Sequence, residues 1–144
     1  MPTLTNTIEI KATPGDVWAV LADMPATRRW LPGVVAAHLD GDVRICQTAD
    51  GHEIHEKISE ITAGHRSYRF EHLRVPLPVR NSGGTFTVAA GHDPHTATVT
   101  LQSTFQPIDP ASTGQLTEVI HTAFQQSLES LRRLIETGLT WDAT

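Results

Sequence analysis

Hydrophobic and polar residues alternate strictly near the start of the chain. Leu4, Ile8 and Ile10 share one parity with Asn6, whereas the charged Glu9 lies on the other parity. Alternation with a period of two is typical of a strand that has one buried face and one solvent-facing face. The pattern therefore predicts a first strand here, with Asn6 turned inward among apolar side chains.

The pattern changes to a helical one directly after this strand. The start of a helix is indicated by Thr13, Pro14 and Asp16. They provide a capping hydroxyl, a first-turn proline and an acidic residue three positions after the cap. We predict a short helix over residues 14–24 and a second brief helix that ends at Trp30, just before a Pro-Gly pair.

Period-two alternation returns between Val34 and Ile108, where turn-forming residues divide the chain into six further strands. A long amphipathic helix of about seven turns follows and continues to Gly138. Ser112 and Gln115 predict a capping box at its start. An antiparallel sheet of this size must cover its apolar face, and the long helix is the element large enough to do so. The order of elements therefore indicates an α+β fold.

The composition narrows the class of protein. The 144 residues are 39% hydrophobic and 19% charged, which suits a single domain over residues 1–144. Lys and Arg number 11 against 16 Asp and Glu, with no basic run, so we expect no nucleic-acid partner. No apolar stretch approaches the roughly 20 residues of a membrane span, and the first residues lack the plan of a secretory signal, so a cytoplasmic location is expected.

Several segments resemble one known superfamily. They are IEIKATPGDVWAVLADMPATRRWLPGV, DGHEIHEKISEI, SYRFEHLRVPLPV and the Leu-rich terminal helix. Together they resemble the START/Bet v1-like superfamily (SRPBCC), which includes polyketide cyclases and dehydratases. The resemblance implies a helix-grip fold, in which a seven-stranded antiparallel sheet wraps around the C-terminal helix and leaves a cavity for an apolar ligand. It does not specify the chemistry, because the superfamily mixes carriers, receptors, cyclases and chaperone partners.

The turn between the third and fourth strands predicts which of their side chains point inward. A two-residue turn at Asp50-Gly51 would pair Gln47 with Ile54 and Ile45 with Glu56. These residues would then share the inward face, and Cys46 would point outward.

The next two hairpins extend the same face. A five-residue loop over residues 62–66 would pair Glu56 with His72 and Ile54 with Arg74. It would also pair Ile58 with Phe70, and the last hairpin would pair Phe86 with Leu101 and Val88 with Val99. The inward face is predicted to be apolar except for a few positions. These are Gln47, Glu56, Tyr68, His72 and Arg74.

Glu56, His72 and Arg74 are the candidate catalytic residues, because they lie on adjoining strands within side-chain reach. A buried carboxylate is costly unless it is paired or protonated, so Glu56 should either pair with Arg74 or His72 or have a raised pKa. In hormone-receptor and cyclase relatives, an inward glutamate in the segment that resembles EIHEKI helps to hold the ligand, so the resemblance also points to Glu56. The alternative is a purely structural ion-pair network at the cavity rim.

The predicted ligand contacts extend beyond this cluster. They are Ile45, Gln47, Glu56, Tyr68, Phe70, His72, Arg74, Phe86 and Ser127. Ser127 could touch a ligand, although bonding back to the Ala123 carbonyl is the more common use of a helical serine. Trp18 and Trp30 are expected to pack the short helices onto the sheet, and residues 75–79 (VPLPV) should form a stiff apolar lip.

Eight histidines raise the question of a metal site. The pairs His52/His55 and His92/His95 lie at hairpin tips, and residues three apart on a strand face opposite ways, so we predict no metal. Cys46 is the single cysteine, which excludes an internal disulfide. The sequence contains no nucleophile elbow, phosphate loop or dinucleotide fingerprint, and we predict no cofactor.

Three classes of function fit these observations. The first is a binding protein that encloses a small, largely apolar, aromatic or polyketide-like molecule. The second is an enzyme of aldol-type cyclisation or dehydration, in which His72 or Glu56 acts as general acid or base and Arg74 stabilises an enolate oxygen. The third is a protein-interaction module, which a filled core and an exposed apolar patch would favour.

Overall fold

The computed structural model describes residues 1–143, which form seven strands and three α-helices. The strands are β1 (Thr3–Ile10), β2 (Val34–Asp40), β3 (Val43–Thr48), β4 (Glu53–Thr62), β5 (Ser67–Arg74), β6 (Val79–Ala90) and β7 (Ala97–Pro107). The α-helices are α1 (Pro14–Leu21), α2 (Thr27–Trp30) and α3 (Thr113–Thr137). Short 3₁₀ turns at Met24–Ala26 and Pro110–Ser112 precede α2 and α3.

The strands form one antiparallel sheet in the order β1-β7-β6-β5-β4-β3-β2. Helix α3 packs on the inner face of this sheet, where Leu128 and Leu131 are fully buried. The predicted α+β helix-grip fold is therefore confirmed. Of the helices in residues 1–143, none combines the length and the apolar character needed to cross a membrane.

The first helix begins as predicted and ends early. The Thr13 hydroxyl accepts a hydrogen bond from the Asp16 backbone N–H at 3.2 Å, but α1 ends at Leu21 rather than at Met24. Asp23 has an extended backbone (ψ 90°), and Pro25 has no N–H with which to continue the helix, so a 3₁₀ turn that begins at Met24 replaces the last predicted turn.

The predicted capping box at the start of α3 is wrong. The Ser112 side chain makes no capping hydrogen bond, because the preceding 3₁₀ turn runs directly into the helix. The Asp109 side chain instead accepts from the Ala111 backbone N–H at 3.0 Å. Gly138, with φ of 78°, ends the helix in the left-handed conformation that glycine adopts most easily.

The predicted pairing of β3 with β4 is wrong by one residue. Arg44 pairs with Glu56 and Cys46 pairs with Ile54. The loop holds three residues rather than two, because the Thr48 N–H donates to the His52 carbonyl at 2.9 Å across residues 49–51. Gly51 ends this loop with φ of 89°, which is typical of a three-residue hairpin with a glycine bulge. A one-residue shift exchanges the two faces of a strand.

The other two hairpins follow the prediction more closely. Glu56 pairs with His72 and Ile58 with Phe70, as predicted. A bulge between His55 and Glu56 then places Arg74 opposite His55 rather than Ile54. The pairs of β6 with β7 are also as predicted, namely Phe86 with Leu101 and Val88 with Val99.

Candidate functional site

A cavity of about 310 Å³ lies between the inner face of the sheet and α3. Its apolar wall comes mainly from the sheet and from α3, and includes Phe70, Phe86, Phe105, Ile120 and Phe124. The segment 75–79 connects β5 to β6, and its last residue begins β6. Val75, Leu77 and Val79 of this segment line the cavity. The charged side chains of the lining gather in one corner, which Arg44, Glu56 and His72 form with Ser82.

Arg44 and Glu56 form a buried ion pair at the centre of this corner. The residues are 2% and 4% exposed, respectively. Arg44 Nε donates to Glu56 Oε1 at 3.0 Å, and Arg44 Nη2 lies 2.9 Å from the same oxygen. The pair exists because the three-residue turn places these two residues opposite each other on the inward face.

The remaining guanidinium nitrogen of Arg44 is held by the residues behind the pair. Arg44 Nη1 lies 3.1 Å from Thr27 Oγ1, 3.4 Å from Tyr68 Oη and 3.4 Å from Met24 Sδ. The guanidinium also lies 5.8 Å from the centre of the Tyr68 ring, within cation–π range. Each nitrogen of this buried cation therefore has a partner inside the protein.

His72 connects the ion pair to β6. Its Nε2 lies 3.4 Å from Glu56 Oε2, and its Nδ1 lies 2.8 Å from Ser82 Oγ. The His72 side chain is 13% exposed and lines the cavity. A single chain of polar contacts thus runs from Thr27 on α2 to Ser82 on β6.

The electrostatics of this corner keep Glu56 ionised. Burial opposes the charged form, but the Arg44 charge and the His72 contact outweigh it and hold the pKa of Glu56 below its usual value. Burial likewise opposes the charge on Arg44, but Glu56, together with Tyr68 and Cys46, outweighs it and raises the pKa of Arg44. Burial raises the pKa of Tyr68, so its phenol stays neutral. Of the two predicted states of Glu56, the paired one is observed.

The structure places only some of the predicted site residues on the cavity wall. Residues on the cavity wall are Glu56, Phe70, His72, Phe86 and Ser127. Tyr68 is fully buried behind the wall, against Arg44. The predicted inward positions of Ile45 and Gln47 are wrong, because the one-residue shift of β3 turns both away from the cavity.

Arg74 does not belong to the inward cluster. Its side chain is 63% exposed at the end of β5, and Nη1 lies 3.7 Å from Glu53 Oε1. Arg44 occupies the position predicted for a cation beside Glu56. The inward position of Arg44 could have been predicted from the loop sequence Ala49-Asp50-Gly51, because it fits a three-residue hairpin as well as a two-residue one.

Two other assignments concern packing. Ser127 Oγ donates to the Ala123 carbonyl at 2.9 Å, the helical serine bond considered above, while the residue remains on the cavity wall. Trp30 is 1% exposed and packs edge-on against Phe86, with ring centres 6.0 Å apart. Trp18 packs against Tyr68, with ring centres 6.2 Å apart.

The predicted outward position of Cys46 is also wrong. The thiol is buried with no exposed surface, and burial raises its pKa to about 11.

The histidines of the two hairpin tips contact acidic side chains. His92 pairs with Glu9 and lies 3.0 Å from Asp93, whereas His55 lies 3.2 Å from Glu53. Within residues 1–143, His, Cys, Asp and Glu form no group of three or more that could hold a metal ion.

Solved structures with the same fold span nearly the whole chain. The protein XoxI from Bacillus cereus is 26% identical, with a TM-score of 0.88 over 95% of this chain and 97% of that chain. The di-domain ARO/CYC protein BexL of the BE-7585A biosynthetic pathway is 19% identical, with a TM-score of 0.84 over 94% of this chain and 47% of that chain. A START superfamily protein from Mycobacterium smegmatis is 8% identical, with a TM-score of 0.81 over 93% of this chain and 97% of that chain.

The family model described as "Polyketide cyclase / dehydrase and lipid transport" matches residues 1–136. No curated protein matches the chain significantly. The family match covers every strand of the sheet and nearly all of α3, so it includes all the elements that form the cavity. The chain therefore belongs to the polyketide cyclase / dehydrase and lipid transport family.

Proposed function

We propose that the protein encloses a small, largely apolar molecule in the cavity and orients it with Glu56 and His72. Family membership supports a ligand-binding or polyketide cyclase-type role. The observation that carries the finer proposal is a cavity of about 310 Å³ whose wall is mostly apolar and whose charged groups gather in one corner. Such a distribution is typical of small-molecule sites, because apolar area gives affinity and a few polar groups give orientation.

The aromatic side chains of the wall favour a flat ligand. The ring centre of Phe70 lies 5.6 Å from that of Phe86 and 6.3 Å from that of Phe124, and all three residues line the cavity. Aromatic rings stack on or meet other rings edge-on with a gain beyond simple burial. An aromatic or polyketide-like molecule fits this wall, and the likeness to an ARO/CYC protein supports the same class.

A neutral fluorophore tests the proposal. N-phenyl-1-naphthylamine should bind one molecule per chain with an increase in its emission, because the cavity wall is mostly apolar. Ala123→Trp places a large ring in the wall and should weaken this binding by at least tenfold, as about 1.4 kcal/mol of lost contact would. Thr122→Trp is the matched control, because Thr122 is exposed on the same helix and does not line the cavity. Binding that survives Ala123→Trp unchanged would place the fluorophore elsewhere and contradict the proposal.

The second candidate is a cyclase or dehydratase that uses the same corner. The contact between His72 and Glu56 favours it, because a histidine held between a carboxylate and the Ser82 hydroxyl is arranged for proton transfer. Arg74 has no part in this version, since it lies outside the cavity. Turnover of a poly-β-ketone that His72→Gln abolishes, with fluorophore binding retained, would favour the enzyme over the carrier. The cavity itself weakens the case for an interaction module, which a filled core would have favoured.

A further inference from the structure

The hydrogen-bonding capacity left in the charged corner defines what a ligand must bring to it. Arg44 is the only residue of the corner with a permanent positive charge, and its three nitrogens contact Glu56, Thr27, Tyr68 and Met24. The Thr27 hydroxyl in turn donates to the Met24 carbonyl at 2.7 Å. Among the described residues of this corner, a ligand anion therefore meets no cation that lacks a counter-ion.

Glu56 has the opposite property. Both short contacts from Arg44 go to Oε1, at 3.0 and 2.9 Å. Oε2 has one longer contact, to His72 Nε2 at 3.4 Å. Each carboxylate oxygen accepts about two hydrogen bonds, so Oε2 has an acceptor position to spare. Glu56 is ionised and lies on the cavity wall, so it presents a charged acceptor and no donor.

The other polar groups of the wall offer little to an anion. The Ser127 hydroxyl is committed to the Ala123 carbonyl, and the Ser82 hydroxyl is held by His72 Nδ1. Thr104 and Gln126 also line the wall, and their neutral side chains can satisfy a carbonyl oxygen but cannot neutralise a charge. A carboxylate brought into this space would face the like charge of Glu56 at low dielectric.

We propose that the cavity selects ligands that donate a hydrogen bond from a hydroxyl or amino group to Glu56 Oε2, and that it rejects ligands that carry a carboxylate. This inference rests on the proposed function, because it specifies the ligand class of the same cavity. The ligand's hydroxyl or amino group would donate to an ionised carboxylate oxygen that has a vacant acceptor position. Hydrogen bonds to charged groups contribute more to affinity than those between neutral groups.

Three ligands with one ring system test the proposal by calorimetry at pH 7. They are 2-naphthol, which donates, 2-methylnaphthalene, which has the same shape without a donor, and 2-naphthoate, which is anionic. We expect 2-naphthol to bind about tenfold or more tightly than 2-methylnaphthalene, as a hydrogen bond to a charged group would give. We expect 2-naphthoate to bind more weakly than both. Equal affinities for the first two, or tightest binding of 2-naphthoate, would overturn the inference and leave the enclosure of apolar molecules intact.

A double variant identifies Glu56 as the source of the selectivity. Arg44→Met/Glu56→Leu removes both charges together, so neither is left buried alone. The variant should still bind 2-methylnaphthalene. Its preference for 2-naphthol should fall to less than about threefold, because the charged hydrogen bond that gives the larger preference is absent. A preference that stays at tenfold would assign the selectivity to another group and overturn the inference. Failure of all three ligands to bind the unmodified protein would instead contradict the proposed function itself.

Discussion

Two opposite charges buried on neighbouring strands dominate the polar chemistry of the molecule. Arg44 and Glu56 are removed from water almost completely, and each loses most of its hydration. Their mutual contacts, with the further partners of Arg44, compensate for that loss. Such a pair contributes little net stability compared with apolar residues of the same size, but the loss of one member leaves an unpaired buried charge.

The first prediction therefore concerns Arg44. Arg44→Met should lower the free energy of unfolding by about 3–5 kcal/mol, because Glu56 then remains buried without its counter-ion. Arg44→Met/Glu56→Leu should recover most of this loss. Urea unfolding of both variants and the unmodified protein measures the difference. A double variant less stable than the single one would contradict this prediction. It would show that the attraction within the pair exceeds the cost of burying both charges.

The second prediction concerns acid. The folded pKa of Glu56 lies below its ordinary value of 4.5, so its contribution to stability is complete above that pH and is lost as the pH falls through the lowered value. The stability of the unmodified protein should therefore fall more steeply below pH 4.5 than that of Arg44→Met/Glu56→Leu, in which this group is absent. Urea unfolding of both proteins at a series of pH values from 6 to 3 gives the two slopes. Parallel curves would contradict the lowered pKa.

At the scale of the elements, the sequence was most informative where turns were unambiguous. Strand β1, the start of α1 and the pairs of β6 with β7 could be predicted from alternation and turn residues. The pairing of Glu56 with His72 was also correct, although the predicted loop over residues 62–66 was not. Thr62 pairs with Ser67, and a register shift between Ser59 and Thr62 compensates for the shorter loop. The β3–β4 turn could not be predicted, because Asp50-Gly51 suits both a two-residue loop and the end of a three-residue one. That difference of one residue exchanged Ile45 and Gln47 for Arg44 and Cys46 on the inner face.

The bulges were also beyond sequence reasoning. The bulge between His55 and Glu56 leaves no mark in the alternation of EIHEKI, and it alone moves Arg74 out of line with Ile54. Glu56 was predicted to point inward from the Asp50-Gly51 turn, from its pairing with His72 and from its resemblance to the family glutamate. The first argument used the wrong register, whereas the pairing with His72 is observed. The counter-ion of Glu56 was missed because the cation was sought on β5 and is supplied by β3.

The third prediction concerns the close approach of β5 and β6. Gly83 lies opposite Glu71, and a Cβ atom there would lie 2.4 Å from the Phe70 carbonyl oxygen. Backbone cannot yield cheaply, so Gly83→Ala should destabilise the protein by about 1–3 kcal/mol or more and should weaken fluorophore binding, since Phe70 is on the cavity wall. Gly64→Ala is the matched control, because nothing lies within 4 Å of its Cβ position, and it should change stability by less than about 0.5 kcal/mol. Equal effects of both substitutions in urea unfolding would contradict the close approach.

At the scale of the whole molecule, the segment after α3 returns to the border of the cavity. The Trp141 backbone N–H donates to the Arg29 carbonyl at 3.0 Å. Its indole N–H is shared between the Arg28 carbonyl, at 2.9 Å, and the Val34 carbonyl, at 3.0 Å. These bonds join the segment after α3 to α2 and to the start of β2, which supply Trp30 and Val34 to the cavity wall.

The fourth prediction follows from this connection. Trp141→Phe keeps an aromatic ring and removes the indole donor, so the Arg28 and Val34 carbonyls lose this hydrogen bond. Local opening of α2 should become easier, and the backbone amides of Leu31 and Val34 should exchange hydrogen about tenfold faster, as the loss of one net hydrogen bond would give. The amides of Val99 and Leu101 in the sheet should keep their rates, because they are far from the tail in the hydrogen-bonding ladder.

The matched control for Trp141→Phe is Trp18→Phe. This substitution makes the same chemical change at a side chain whose indole N–H contacts no hydrogen-bond acceptor within residues 1–143. It should leave the exchange of Leu31 and Val34 unchanged. Hydrogen-exchange NMR on the two variants separates the loss of the donor from the loss of the larger ring. Equal acceleration in both, or none in Trp141→Phe, would show that the tail lies against α2 without holding it, and that packing of Trp30 alone keeps this side of the cavity closed.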